Sequence, residues 1–335
     1  MKVLFIGGTG NISTSASRLA LARGIELHLL TRGHRAVDLA GVHTIRADIA
    51  DEVAVAAALA AHRFDCVVNW IAFKPADIER DLRLFAGRTR QYIFISSASV
   101  YQKPATTPFI REDTPLRNPY WDYSHDKILC EERLQRAYRD SGFPATIVRP
   151  ALTYDTVIPA ALGSWDDYTL VDRMRRGGRI VVHGDGTSLW SVTHARDFAA
   201  GFIGLLGNMC AIGHAFHITT DEVLTWDQIY QAIGAAVGVE PKIVHVPSDF
   251  IAAVEPWHRG NLHGDKAVSK IFDNSKIKRF VPGYTATIPF AQGIRETIAW
   301  FESEPSRMRI VEDNNRLLDR VIRAYETAYD AISSS

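Results

Sequence analysis

The sequence predicts an α/β chain built on a doubly wound parallel sheet, with a smaller mixed α/β lobe that binds substrate. Two observations carry that expectation. In the first half, short apolar runs alternate with helical stretches, and the runs lack polar/apolar alternation, as strands covered on both faces do. The chain also opens on a strand, VLFI, that runs directly into the glycine turn IGGTGN.

Taken in order, residues 3–6 read as the first strand and 11–23 as its helix; residues 27–30 form the second strand, ending at Thr31-Arg32. Apolar runs at 43–46 and 66–68 flank the alanine-rich stretch 53–61, whose composition favours helix. The run 92–95 ends in Ser96-Ser97-Ala98-Ser99, and a helix over 123–139 precedes the strand 145–149. After Pro150 the rhythm loosens into strands such as 180–182 and 216–218 and helices such as 198–206 and 226–237, which read as a second lobe. Residues 1–150 are therefore expected to form the dinucleotide-binding core and 151–335 mainly the substrate lobe, with segments such as 184–210 returning to the core. The amphipathic stretches 291–301 and 317–331 would pack back onto the body or onto a partner, and Ser333 to Ser335 read as a frayed tail.

Composition narrows the function. A chain of 335 residues and 37.3 kDa exceeds one ordinary core, and its 47% apolar content can fill two. The 38 basic residues balance 38 acidic ones, so no general electrostatic footprint for nucleic acid or an anionic membrane is present. Cys66, Cys130 and Cys210 are widely separated, which fits a reducing, cytoplasmic setting and offers no disulfide framework. No apolar run reaches the roughly 20 residues that span a bilayer, and neither HExxH nor clustered Cys/His spacing points to a metal.

The glycine turn is the first chemical signal. Gly7, Gly8 and Gly10 follow a strand and open a helix, where missing side chains let backbone donors approach a pyrophosphate, a Rossmann-like arrangement. Ser13 stands where the usual fingerprint has its last glycine. At the end of the second strand Arg32 replaces the common ribose-binding acid; it would meet a 2′-phosphate, which favours NADP over NAD, or lie over the adenine. Asp48-Ile49 would meet the adenine amino group and cover its ring, unless Asp48 caps the helix starting near Asp51.

Tyr123-Ser124-His125-Asp126-Lys127 supplies the second signal. Tyrosine and lysine at i,i+4 share a helical face, so Lys127 is expected to lower the Tyr123 pKa and favour phenolate. This YxxxK motif, with Ser97-Ala98-Ser99-Val100-Tyr101, Arg149-Pro150 and His194-Ala195-Arg196-Asp197, resembles the extended short-chain dehydrogenase/reductase family, particularly its NAD-dependent epimerase/dehydratase branch. The resemblance covers most of residues 1–207. It implies Ser97, Tyr123 and Lys127 as catalytic residues, with Lys127 also against the nicotinamide ribose. The implied cofactor set is Gly7, Gly10, Asn11, Ile12, Arg32, Asp48, Ile49, Ile71, Ala72, Lys127 and Pro150.

Within that branch the segment after the fifth strand lacks the adjacent Asp-Glu pair of sugar dehydratases, leaving epimerisation or simple reduction of a sugar or nucleotide-sugar. The epimerase reading implies NAD, against the NADP lean from Arg32. Nucleotide-sugar signatures are incomplete: no asparagine follows in Arg149-Pro150-Ala151-Leu152-Thr153-Tyr154, and Ser188-Leu189-Trp190-Ser191 has no arginine. Arg173, Arg175, Arg176 and Arg179 would grip phosphate or form a solvated helix end. Trp121, Tyr154, Trp165 and Trp190 would stack on a ligand or pack. His125 and His194 read as supporting residues. Resemblance to chloroplast stem-loop RNA-binding relatives implies a nucleic-acid alternative, against which the intact Tyr123/Lys127 pair argues. Family members pair helices from the fourth and fifth crossovers, here near 76–85 and 123–139, which implies a homodimer.

Overall fold

The computed structural model describes residues 1–33 and 39–333. Seven strands form one parallel sheet: β1 (Lys2–Ile6), β2 (Glu26–Thr31), β3 (His43–Arg46), β4 (Phe64–Asn69), β5 (Thr89–Ile95), β6 (Ala145–Pro150) and β7 (Ala215–Ile218). Their spatial order is 3-2-1-4-5-6-7, each pair parallel. The order reverses between β1 and β4, and a crevice opens outside the carboxyl ends of strands at such a point.

Alternation along β1 explains why its residues are all apolar. Val3 and Phe5 enter one core with Phe198 and Phe202, while Leu4 and Ile6 enter another with Tyr92 and Leu134. Helices α1 (Ser13–Ala22) and α5 (Ala195–Ile203) cover the first face; α2 (Glu52–Ala58), α3 (Pro75–Phe85) and α4 (Asp122–Ser141) cover the second. The strand expected at 216–218 in the lobe is instead β7, which extends the main sheet by pairing with β6. Its short apolar run identifies a strand but cannot identify the neighbour, because that pairing is non-local.

The lobe packs Leu152, Trp190, Trp226, Tyr230 and Phe301 into its own core. Two parallel pairs, Leu152–Tyr154 with Val192–His194 and Arg179–His183 with Lys242–Val246, build its framework. The C-terminal helix, Glu312–Ser333, buries Leu318, Val321 and Ile322 against Ile251 and Val246. Its polar side is held by Arg173 to Asp319 and Arg179 to Glu326, while Arg175 pairs with Glu302 and Arg176 with Asp172. The four arginines are thus engaged in the lobe, and the phosphate-gripping alternative is not where the structure places them. Of the tail at 333–335, residues 334–335 lie outside the described residues.

Two buried histidines give the fold an acid sensitivity. His217 donates from Nε2 to the Asp273 carbonyl at 2.8 Å and accepts the Tyr101 hydroxyl at Nδ1 at 3.0 Å, so its neutral form is satisfied. His183 donates to the Lys266 carbonyl at 2.9 Å. Burial pushes each down to about 4. Between that value and the ordinary 6.5 the unfolded chain binds more protons than the folded one, so stability falls as pH drops through this window. The slope expected from the pair is at most about 2.7 kcal/mol per pH unit, or roughly 1.4 for each histidine. Denaturant midpoints at pH 7, 6 and 5 check this; His217→Gln should flatten the dependence, and a flat wild-type profile would refute it.

Candidate functional site

A cleft of about 1510 Å³ runs from the glycine turn to the lobe, bordered by the carboxyl ends of the sheet strands. At its first end Gly7 and Gly8 adopt φ of 93° and 102°. A Cβ on Gly8 would stand 2.6 Å from Leu29 Cδ2, so the turn needs glycine for both conformation and closeness. At Gly10 a Cβ would meet only Ser13 Oγ, at 3.5 Å. Ser13 accepts the Gly10 N–H at 2.8 Å, so the serine that departs from the usual fingerprint closes the turn itself. Helix α1 starts with no side-chain cap; its Thr14 N–H turns back to the Gly10 carbonyl at 3.0 Å, and Ile12 and Ser13 at its start line the cleft. Asn11 ties this turn to the lobe by donating to the Thr153 carbonyl at 2.9 Å, while its buried Oδ1 has no protein partner. These features fit a dinucleotide pyrophosphate.

Arg32, Asp48 and Ile49 line the same end. Arg32 stands 3.9 Å from Asp48, so a carboxylate shares the guanidinium that a 2′-phosphate would need. Asp48 is not the cap of α2: it accepts the Ala50 N–H at 3.0 Å, whereas Asp51 accepts the Ala54 N–H at 3.0 Å and caps the helix. Gly7, Gly10, Asn11, Ile12, Ile71 and Pro150 also line the cleft. Ala72 is fully buried beside it and contributes its carbonyl to Lys127. Ile71 is positioned from below: its N–H donates to Asn69 Oδ1 at 2.8 Å, and Asn69 Nδ2 donates to buried Asp81 at 2.5 Å.

Ser97, Tyr123 and Lys127 meet midway along the cleft. β5 delivers Ser97, and the first turns of α4 deliver the other two. Lys127 donates to the carbonyls of Ala72 and Ile95 at 2.7 and 2.8 Å, with its ammonium 5.8 Å from the Tyr123 ring centroid. Burial pushes Lys127 down to about 8. Tyr123 goes the opposite way from the sequence expectation: burial pushes it up to about 12, with Ser97 pulling down and Asp265 pushing up. The lysine spends these hydrogen bonds on the last carbonyl of β5 and on one in the loop after β4 rather than on the phenol. Ser97 is oriented by a hydroxyl chain, with Ser99 Oγ at 2.9 Å and Ser124 Oγ donating to Ser99 Oγ at 2.7 Å.

The far end holds residues that sequence reasoning missed. Asp265, Lys266, Lys270 and Phe272 line it, together with Trp121, Trp165 and Trp190. Asp265 and Lys266 lie on a π-helical turn, Leu262–Lys266, which no local pattern announces. Trp257, 90% exposed, stands on the rim. Tyr154 is fully buried and packs edge-on to His194 and Phe290, outside the cleft. His125 is exposed, and His194 caps α5 by accepting the Arg196 N–H at 3.2 Å. Glu26, His28 and His43 cluster at the opposite, amino-terminal ends of β2 and β3, where Glu26 is paired with Lys2 and His28.

With this geometry in view, comparison with known proteins is informative. The NAD dependent epimerase/dehydratase family model matches residues 3–218. A 2'-dehydrokanamycin reductase from Streptomyces kanamyceticus is 27% identical over 285 residues, 85% of this chain and 80% of that protein. The chloroplast stem-loop binding protein of 41 kDa b from Arabidopsis thaliana is 28% identical over 265 residues, 74% of this chain and 67% of its own. The crystal structure of UDP-glucose 4-epimerase from Bifidobacterium longum, in complex with NAD+ and UDP, shares the fold. It superposes with a TM-score of 0.73 at 19% identity, covering 92% of this chain and 100% of that one.

Proposed function

The chain belongs to the NAD dependent epimerase/dehydratase family, and from that premise we propose that it is an NAD(P)-dependent epimerase acting on a sugar or nucleotide-sugar. The observation that carries the reading is the convergence of Ser97, Tyr123 and Lys127 on the cleft that also holds the glycine turn. A bound nicotinamide cofactor supplies hydride acceptance and donation. Tyr123 moves the proton of the substrate hydroxyl, Ser97 holds the same oxygen as charge develops on it, and Lys127 braces the cleft wall between the end of β5 and the loop after β4. The cofactor is proposed to be NAD, because Asp48 beside Arg32 would repel a 2′-phosphate. Residues 1–150 would serve mainly the cofactor and 151–335 mainly the substrate.

A net reductase is the second reading, favoured by the reductase relative. Gently purified protein analysed by native mass spectrometry should retain NAD and convert a sugar or nucleotide-sugar into its epimer without added cofactor. Stoichiometric oxidation of added NADPH would establish the reductase instead, and neither outcome across a sugar panel would defeat both. The intact Tyr123/Lys127 pair favours this chemistry over a nucleic-acid role. Ser97→Ala should lower turnover by about 10²-fold, checked by steady-state kinetics; a wild-type rate would remove Ser97 from the mechanism.

The proposed homodimer would use α3 and α4, which pack side by side with Arg133 paired to Glu79. Outward positions such as His125, Glu132, Gln135 and Arg136 are polar, so that contact would rely on matched charge rather than apolar burial. A monomer by light scattering at working concentration would reject it. Among the described residues no helix is long and apolar enough to cross a membrane. A cytoplasmic setting is proposed from the unpaired cysteines Cys66, Cys130 and Cys210.

A further inference from the structure

The lobe end of the cleft carries an excess of buried positive charge. Lys266 and Lys270 line it at 3% and 1% exposure, and both converge on Asp265. Asp265 pairs with Lys270 and stands 3.8 Å from Lys266. Behind them is fully buried Lys103, whose ammonium reaches the Tyr101 carbonyl at 3.4 Å and feels the charges of Lys270 and Asp265. One carboxylate therefore faces three lysine side chains, and burial lowers the pKa of Lys266 as Asp265 works to keep it charged. Burial, with Lys270 adding to it, pushes Lys103 down to about 7. Burial raises Asp265, but Lys270 and Lys266 outweigh it and hold the carboxyl below its usual range.

The surroundings give this charge little solvent. The Lys266 ammonium lies 5.4 Å from the Trp165 ring and 5.9 Å from Trp121, and that of Lys270 lies 4.8 Å from Trp190. In such a setting an uncompensated ammonium attracts an anion far more strongly than it would at the surface. The backbone carrying the charges is fixed. The Lys266 carbonyl accepts from His183 at 2.9 Å and Trp190 at 3.2 Å, and the Gly264 carbonyl accepts from Asn118 at 2.7 Å. The Ala267 N–H closes the π-turn on the Leu262 carbonyl at 2.8 Å.

Position decides which part of a substrate bears the anion. Trp121 lies between the lysines and the proton-transfer group, with its ring 4.9 Å from that of Tyr123, and Asp265 is close enough to bias the Tyr123 hydroxyl. Lys266 is thus separated from Tyr123 by one aromatic side chain, its ammonium 5.9 Å from the Trp121 ring that packs on the tyrosine.

We propose that the reacting unit of the substrate itself carries an oxyanion, a carboxylate or a phosphate monoester, held by Lys266 and Lys270 as they exchange part of their contact with Asp265 for it. This rests on reading the cleft as a hydride-transfer site. A cationic amino-sugar would be repelled from the same position.

Isothermal titration calorimetry on the full chain with saturating NAD tests the inference with two matched pairs: UDP-glucuronate against UDP-glucose, and glucose 6-phosphate against glucose. The charged member of at least one pair should bind about tenfold tighter or better, and the pair that responds identifies carboxylate or phosphate as the source. Lys266→Met/Lys270→Met should bring the charged member down to the affinity of its neutral partner. Equal affinity within both wild-type pairs, or a preference that survives in the variant, overturns the inference. An equal loss of both UDP-sugars would place the lysines on the diphosphate and overturn it too. The wild-type arm needs no variant to fold. Absence of both epimer formation and cofactor reduction with all four compounds would count against the hydride-transfer reading alone, so the two failures are separable.

Discussion

Tyr123→Phe should lower turnover by about 10²–10⁴-fold, the range expected when a positioned acid–base group is lost, with cofactor affinity unchanged. The substitution removes the hydroxyl and keeps the ring, which packs 4.9 Å from Trp121 and 6.4 Å from Phe73. The cleft wall therefore keeps its shape, and the glycine turn is untouched. Stopped-flow measurement of hydride transfer, with dinucleotide binding followed separately by calorimetry, isolates the proton step. A variant with wild-type turnover would transfer the acid–base role to another group; loss of cofactor binding would mean that the hydroxyl also holds the dinucleotide.

Glu131→Ala should destabilise the chain by about 3–5 kcal/mol, because it leaves Arg149 charged, buried and unpaired. Glu131 is fully buried and Arg149 is 2% exposed; the guanidinium donates to the carboxylate from Nε at 3.0 Å and Nη2 at 2.6 Å. Ser96 donates to the same carboxylate at 2.5 Å, so the pair also fixes the residue before Ser97. Activity should fall along with stability even though neither charge reaches the cleft. Replacing both partners with apolar residues, Glu131→Leu with Arg149→Met, should recover much of the loss. Guanidinium unfolding of the single and double variants is decisive: a single-variant cost below about 1 kcal/mol would mean that the pair behaves as a solvated surface contact.

What the sequence made legible was local. The glycine turn needs residues adjacent in the chain, and Tyr123 and Lys127 share one helical face, so both signals survive without knowledge of the fold. Ser97 is legible through the resemblance of Ser97-Ala98-Ser99-Val100-Tyr101 to the family's serine segment, which needs only residues adjacent in the chain. The Asp48/Asp51 choice was local too, yet two aspartates three residues apart can each satisfy a helix start, and only the observed bonds to Ala50 and Ala54 separate them. Asp265, Lys266 and Lys270 were invisible for a different reason. Their segment has no motif, and its meaning depends on a π-turn that aims it across the cleft at elements distant in sequence. The tyrosine pKa direction failed similarly, since which carbonyls Lys127 satisfies depends on where β5 and the loop after β4 end.

Asn118 joins the two halves of the cleft, donating from one amide nitrogen to the Ser99 carbonyl at 2.8 Å and to the Gly264 carbonyl at 2.7 Å. The serine turn beside the reacting carbon and the lysine-bearing turn beyond it are thereby pinned to a common post. An epimerase must present both faces of one carbon to the same hydride, so something has to swing. With these walls locked together, the epimerase reading would make the oxidised sugar the swinging part, turning inside a stationary chamber about whatever charged handle the lysines retain.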